Sequence, residues 1–98
     1  MSIQELISET SKNFDVTPKQ LTSPSRKQKL VFLRYSIAAL AYNQGYKYHE
    51  IAAAFHKKNV STISRGRKAT TILLSNDTYF RSIYNHVKAI SHVLPTAI

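Results

Sequence analysis

Cysteine is absent from the sequence, which excludes disulfides and thiolate-bound metal and agrees with a reducing compartment. Glycine occurs twice and proline three times in 98 residues. That is too few turn-formers for a fold of many short strands, so long regular elements are expected. The longest apolar run is the six residues Ile37 to Tyr42, far below the roughly 20 that span a bilayer. The N-terminus has neither the basic segment nor the apolar run of a secretory signal, so a soluble, cytoplasmic protein with no membrane partner is expected. Acidic residues are scarce and scattered: Glu5, Glu9, Asp15, Glu50 and Asp77 fall in different segments, and no nucleophile stands beside a recognisable base. No enzyme, small-molecule substrate or cofactor is expected. His49, His56, His86 and His92 lack the i, i+4 spacing of a helical zinc pair, and no metal site is expected either.

What the chain does have is helical periodicity. A length of 98 residues accommodates one domain, and 43% apolar with 19% charged residues is the composition of a folded chain rather than a disordered tail. Ser2 followed three residues later by Glu5 predicts a capping box, opening a helix with Ile3, Leu6 and Ile7 on one face. Thr17-Pro18 predicts a short helical turn through Leu21, and Thr22-Ser23-Pro24-Ser25 breaks it. Leu30, Leu33, Ile37, Leu40 and Ala41 predict a longer helix from about Arg26 or Lys27, ended by Asn43-Gln44-Gly45 with Gly45 left-handed. Helices of about Tyr48 to Phe55 and Val60 to Leu74 follow, joined by His56-Lys57-Lys58-Asn59. After Asp77, a capping residue type, the stripe Phe80, Ile83, Val87, Ile90 and Leu94 recurs at three and four. The expected fold is all-α, a small single-domain bundle of about five or six helices containing a helix-turn-helix with a long turn. Its parts are short N-terminal helices in 1–24, a basic loop, long helix and helix-turn-helix in 25–74, and a packing or dimerisation helix in 75–98.

Charge is not spread evenly. From Arg26 to Lys68, 43 residues carry ten Lys or Arg against one acidic residue, Glu50, a net +9; the other 55 residues balance four basic against four acidic. The helix-turn-helix pattern lies inside this block. Ile51 and Phe55 face a core, small Ala52 permits close helix approach, and Ile63 is the next inward anchor. Ser61, Thr62, Ser64, Arg65 and Lys68 fall on other faces, where a recognition helix presents its first turns to base edges and flanking groups hold phosphates. Ala52 and Ile63 are eleven residues apart, one more than the compact repressor pattern, and His56 stands where a tight turn would have Gly. Two packed helices in a plain bundle would show the same apolar pattern, but would have no reason to gather Lys57, Lys58, Arg65, Arg67 and Lys68 there. The charge distribution points to duplex DNA.

Several separated segments in the right order resemble the C-terminal DNA-binding domain of the bacterial replication initiator DnaA. They are Phe14-Asp15-Val16-Thr17 to Leu21, Ser25-Arg26-Lys27, Arg34 with the alanine-rich helix to Ala41, Glu50-Ile51 to Phe55, and Asn59-Val60-Ser61-Thr62-Ile63. The resemblance implies a Trp-repressor-like helix-turn-helix in a protein of bacterial or phage type. It also implies a minor-groove role for Arg26, which matches the family's basic-loop Arg by its eight-residue distance from Arg34. The family opens its recognition helix with Asp-His-Ser/Thr-Thr; here Asn59-Val60-Ser61-Thr62 stands there, and two of the four positions differ. Asn59 can cap the helix or contact a base, whereas Val60 offers only an apolar surface, suited to a thymine methyl. The family's target sequence therefore does not carry over. The initiator's ATPase module has no counterpart in these 98 residues, which contain no Gly-rich phosphate loop. The resemblance is to the DNA-reading part, in a replication-related, regulatory or mobile-element setting with nucleoid association.

The DNA-binding residues expected on these grounds are Arg26, Lys27, Lys29, Arg34, Lys57, Lys58, Asn59, Val60, Ser61, Thr62, Arg65 and Lys68. Of these, Ser61 is assigned to base reading, Thr62 to a phosphate, and Arg34 to a phosphate or groove. Tyr35 and Tyr42 are expected at the core edge with their hydroxyls in water, and Tyr46 and Tyr48 as phosphate hydrogen-bonders or packing around the motif. The competing reading is a protein-interaction or RNA-binding module. In it the stripe Phe80, Ile83, Val87, Ile90 and Leu94 pairs with a second copy or a partner protein, since apolar stripes at this spacing serve both internal packing and association.

Overall fold

The computed structural model describes residues 2–56 and 60–93, with side chains through residue 91. Lys57, Lys58, Asn59, Leu94 and the His92 side chain lie outside the described residues. The chain is all-helical there, with α1 (Ile3–Asn13), α2 (Pro18–Thr22), α3 (Gln28–Asn43), α4 (Tyr48–Ala54), α5 (Ser61–Asn76) and α6 (Thr78–Val93).

Local chemistry sets most of the boundaries. Glu5 N–H donates to Ser2 Oγ and Ser2 N–H to Glu5 Oε1, both at 3.0 Å, which closes the capping box at the start of α1. These bonds from Ser2 hold the Glu5 carboxyl below its ordinary pKa, because they favour the charged form. Thr17 and Gln20 repeat the arrangement at α2, with Pro18 in the first turn. Gly45, at φ +104°, takes the left-handed conformation expected after α3. Asp77 ends α5 and begins α6 together, its Oδ1 accepting from Phe80 N–H at 2.9 Å.

The start of α3 differs from expectation. The helix begins at Gln28, because Lys27 remains extended at φ −58°, ψ 133° while its N–H donates to Ser25 Oγ at 3.3 Å. Residues 25–27 therefore belong to a loop.

α3 is the central element and touches each of the other five helices. Leu30, Leu33, Ile37, Leu40 and Ala41 are buried as their periodicity predicts. On α6, Phe80, Ile83, Val87 and Ile90 are buried within the same core, with Phe80 edge-on to Phe32 at 5.0 Å between ring centroids. Of the two roles expected for the stripe, internal packing accounts for these four positions, which are buried where α6 meets α3 and α1.

Against α5 the approach is close. Gly66 is buried, and a Cβ there would lie 3.1 Å from Tyr35 Cδ1 and 3.2 Å from Cε1. The missing side chain brings α5 down onto α3.

Candidate nucleic-acid interface

In α4, Ile51, Ala52 and the following Phe55 are buried, and in α5 Ile63, Gly66 and Thr70 are buried. These residues orient α5. At 100° per residue the opposite face carries Ser61, Arg65 and Lys68; Arg65 and Lys68 are exposed and Ser61 partly so. Val60 occupies the N-cap position with no side-chain hydrogen bond, while its carbonyl accepts from Ile63 N–H at 3.0 Å and Ser64 N–H at 3.1 Å. Its apolar side chain is 42% exposed at the tip of α5. His56, where a glycine would be conventional, turns the chain out of α4 at φ +57°, a left-handed conformation that histidine adopts more readily than most side chains.

The basic loop lies beside this helix. Arg26 and Lys27 are exposed. Although Arg26 and Arg65 are 39 residues apart in the sequence, both line one open cleft with Thr62, Val31 and Tyr35. Among the described residues the one ion pair is Lys12 with Glu9, on α1. Among the described residues no carboxylate pairs with the cations of this face, so their field extends into solvent.

Two expected contacts are directed elsewhere. Arg34, assigned to a phosphate or groove, donates from Nε to Leu21 O at 2.6 Å, from Nη1 to Ser25 O, and from Nη2 to Gln20 O at 3.1 Å and Ser23 Oγ at 3.4 Å. The planar guanidinium fork matches this set of acceptors, and the side chain ties α2 and the loop to α3. Burial lowers its pKa. Lys29, one of the expected DNA-binding residues, donates from Nζ to Phe14 O at 2.8 Å, at the C-terminal end of α1, where a cation also suits the helix dipole.

A second cationic arrangement has no signature in the local sequence. Arg67 stands over the Tyr42 ring, with Cζ 4.1 Å from the centroid, and donates from Nη1 to Tyr48 Oη at 3.2 Å. Tyr42 and Tyr48 pack together at 5.1 Å and 34°. The hydrogen bond to Tyr48 raises the Arg67 pKa above its ordinary value. Of the two roles expected of Tyr48, packing around the motif is the one seen, with its hydroxyl turned to Arg67. Glu50, alone in the basic block, accepts from Lys47 N–H at 2.8 Å and so caps α4.

The arrangement is a helix-turn-helix whose second helix offers its first turns to solvent beside an ordered basic loop. No described helix is long and apolar enough to cross a membrane. No similar curated protein and no solved structure matches the chain. A family model does match, described as the bacterial DnaA protein helix-turn-helix and covering residues 3–72, from the start of α1 well into α5. By that match and by its helical architecture, the chain belongs to the DnaA C-terminal helix-turn-helix family, whose members bind double-stranded DNA.

Proposed function

We propose that the protein reads a specific duplex sequence through two grooves. The first turns of α5, carrying Val60, Ser61, Thr62, Arg65 and Lys68, enter the major groove, and Arg26 reaches the adjacent minor groove. Lys27 and the turn residues Lys57 and Lys58 hold phosphates, and Asn59, which precedes the Val60 N-cap, contacts a base edge. The observation that carries this reading is the meeting of Arg26, Thr62 and Arg65 on one cleft with no carboxylate opposing them among the described residues. A loop cation beside the first turns of a helix-turn-helix gives phosphate anchoring and base reading together. Arg34 and Lys29 support this surface from within rather than contacting DNA.

Selection from a random duplex pool at physiological salt tests the reading. A defined site is the expected result, and a pool that remains random would overturn sequence-specific binding. Val60 makes the test sharper. An exposed apolar residue at the tip of a recognition helix suits a thymine methyl, so deoxyuridine in place of one thymine of the selected site is expected to weaken binding about fourfold, equivalent to ~0.8 kcal/mol for one methyl group. In the Val60→Ala variant that difference should shrink. If the two proteins respond equally at every thymine, Val60 does not read the base.

A further inference from the structure

We propose that Arg67 forms a second, preorganised phosphodiester-binding site on the flank of α5 turned away from the basic loop, an assignment that rests on the duplex-binding reading. Three helices contribute to it. Tyr42 comes from the last turn of α3, Tyr48 is the first residue of α4, and Arg67 lies in the second turn of α5. The Tyr42 face, 4.1 Å away, supports the guanidinium plane, and the Tyr48 hydroxyl fixes one edge at 3.2 Å. The bond to Tyr48 engages one of the five N–H donors. The remaining donors can meet two oxygens of a phosphate, the bidentate geometry for which arginine is suited.

Position adds a second reason. Arg67 is two residues beyond Arg65, about 200° around the helix at 100° per residue. Thr62 and Arg65 border the cleft shared with the basic loop, while Arg67 borders the junction of α3 and α4. A helix seated in a major groove has a phosphate strand along each side. Arg26 addresses one side and Arg67 the other. The side chain is exposed and no carboxylate pairs with it among the described residues, so neither burial nor an ion pair accounts for its being held in place. Its two aromatic contacts reduce the rotamer freedom that a phosphate contact would otherwise have to remove.

The test is equilibrium binding of the full chain to a duplex of the selected sequence, between 50 and 200 mM salt, with thermal unfolding measured alongside. For Arg67→Ala the slope of log affinity against log salt should become shallower by about 0.9, so that the wild-type advantage narrows about 3.5-fold across that range. Tyr48→Phe retains the charge and should keep the wild-type slope while weakening binding. Should Arg67→Ala bind with unchanged affinity and slope, or lower only the melting temperature, the side chain serves packing and the assignment falls. A wild-type chain that binds no duplex overturns the function reading as well; a wild type with a steep slope that Arg67→Ala reproduces overturns this site alone.

Discussion

Affinity for the selected duplex is expected to fall by roughly 10³ or more between 50 and 200 mM salt, as for a protein that neutralises about six to ten phosphates. The double variant Arg26→Glu, Arg65→Glu should flatten that dependence and bind at least about a hundredfold more weakly at 150 mM. Two groove-entering arginines contribute roughly 1–3 kcal/mol each, and reversal adds repulsion to the loss. Both side chains are exposed, and neither takes part in an ion pair among the described residues. The melting temperature should therefore stay close to that of the wild type, because exposed substitutions of this kind cost within about 0.5 kcal/mol. Filter binding or fluorescence anisotropy across the salt range, with calorimetry on the same samples, gives both quantities. A complex indifferent to salt, or one that survives the double reversal, would remove the electrostatic basis of the two-groove reading.

Arg34→Met is expected to be the most destabilising replacement of any Lys or Arg in the basic block. It keeps much of the apolar stem but removes the donors to Gln20 O, Leu21 O, Ser23 Oγ and Ser25 O. Loss of such charge-assisted bonds, discounted for a side chain that is part-exposed, costs about 2–3 kcal/mol. For a domain of this size that corresponds to roughly 15 °C in melting temperature. DNA affinity should fall too, because the loop presenting Arg26 loses its attachment to α3. Arg34→Lys separates this from a phosphate role. A lysine restores the charge but not the planar fork, so it should leave most of the thermal defect in place. If Arg34→Met melts like the wild type and merely shortens the salt slope by about 0.9, Arg34 is a phosphate contact after all.

These outcomes depend unequally on what a linear sequence can reveal. The long helices were legible because core positions on α3 and α6 recur at three and four residues, and the Ser2–Glu5 capping box and the Thr17 cap were legible because each acts within one turn. The stripe from Phe80 to Ile90 was legible as apolar but not as internal. Periodicity describes one face of a helix and contains nothing about the face that receives it, here Phe32 and its neighbours on α3. The residues that shape the binding surface were harder still. Arg34 reaches acceptors 9 to 14 residues away, Lys29 reaches one 15 away, and Arg67 meets Tyr48 at a separation of 19. No local spacing encodes such pairs. In the sequence Arg34 and Lys29 read as DNA contacts and Arg67 as part of the basic field, and only the fold separates those that face solvent from those committed to the chain.

The close seat of Gly66 against Tyr35 has a consequence for the geometry of any bound duplex. α5 is set on α3 at that contact, and the basic loop is set on the same α3 by Arg34. The two elements proposed to reach DNA therefore share one reference, α3. For a duplex engaged by both, the minor-groove and major-groove subsites must keep a constant helical phase. One base pair inserted between them advances the second subsite by about 3.4 Å and rotates it by roughly 35°, given 10 to 10.5 base pairs per turn, and neither element can follow that rotation without leaving the other behind.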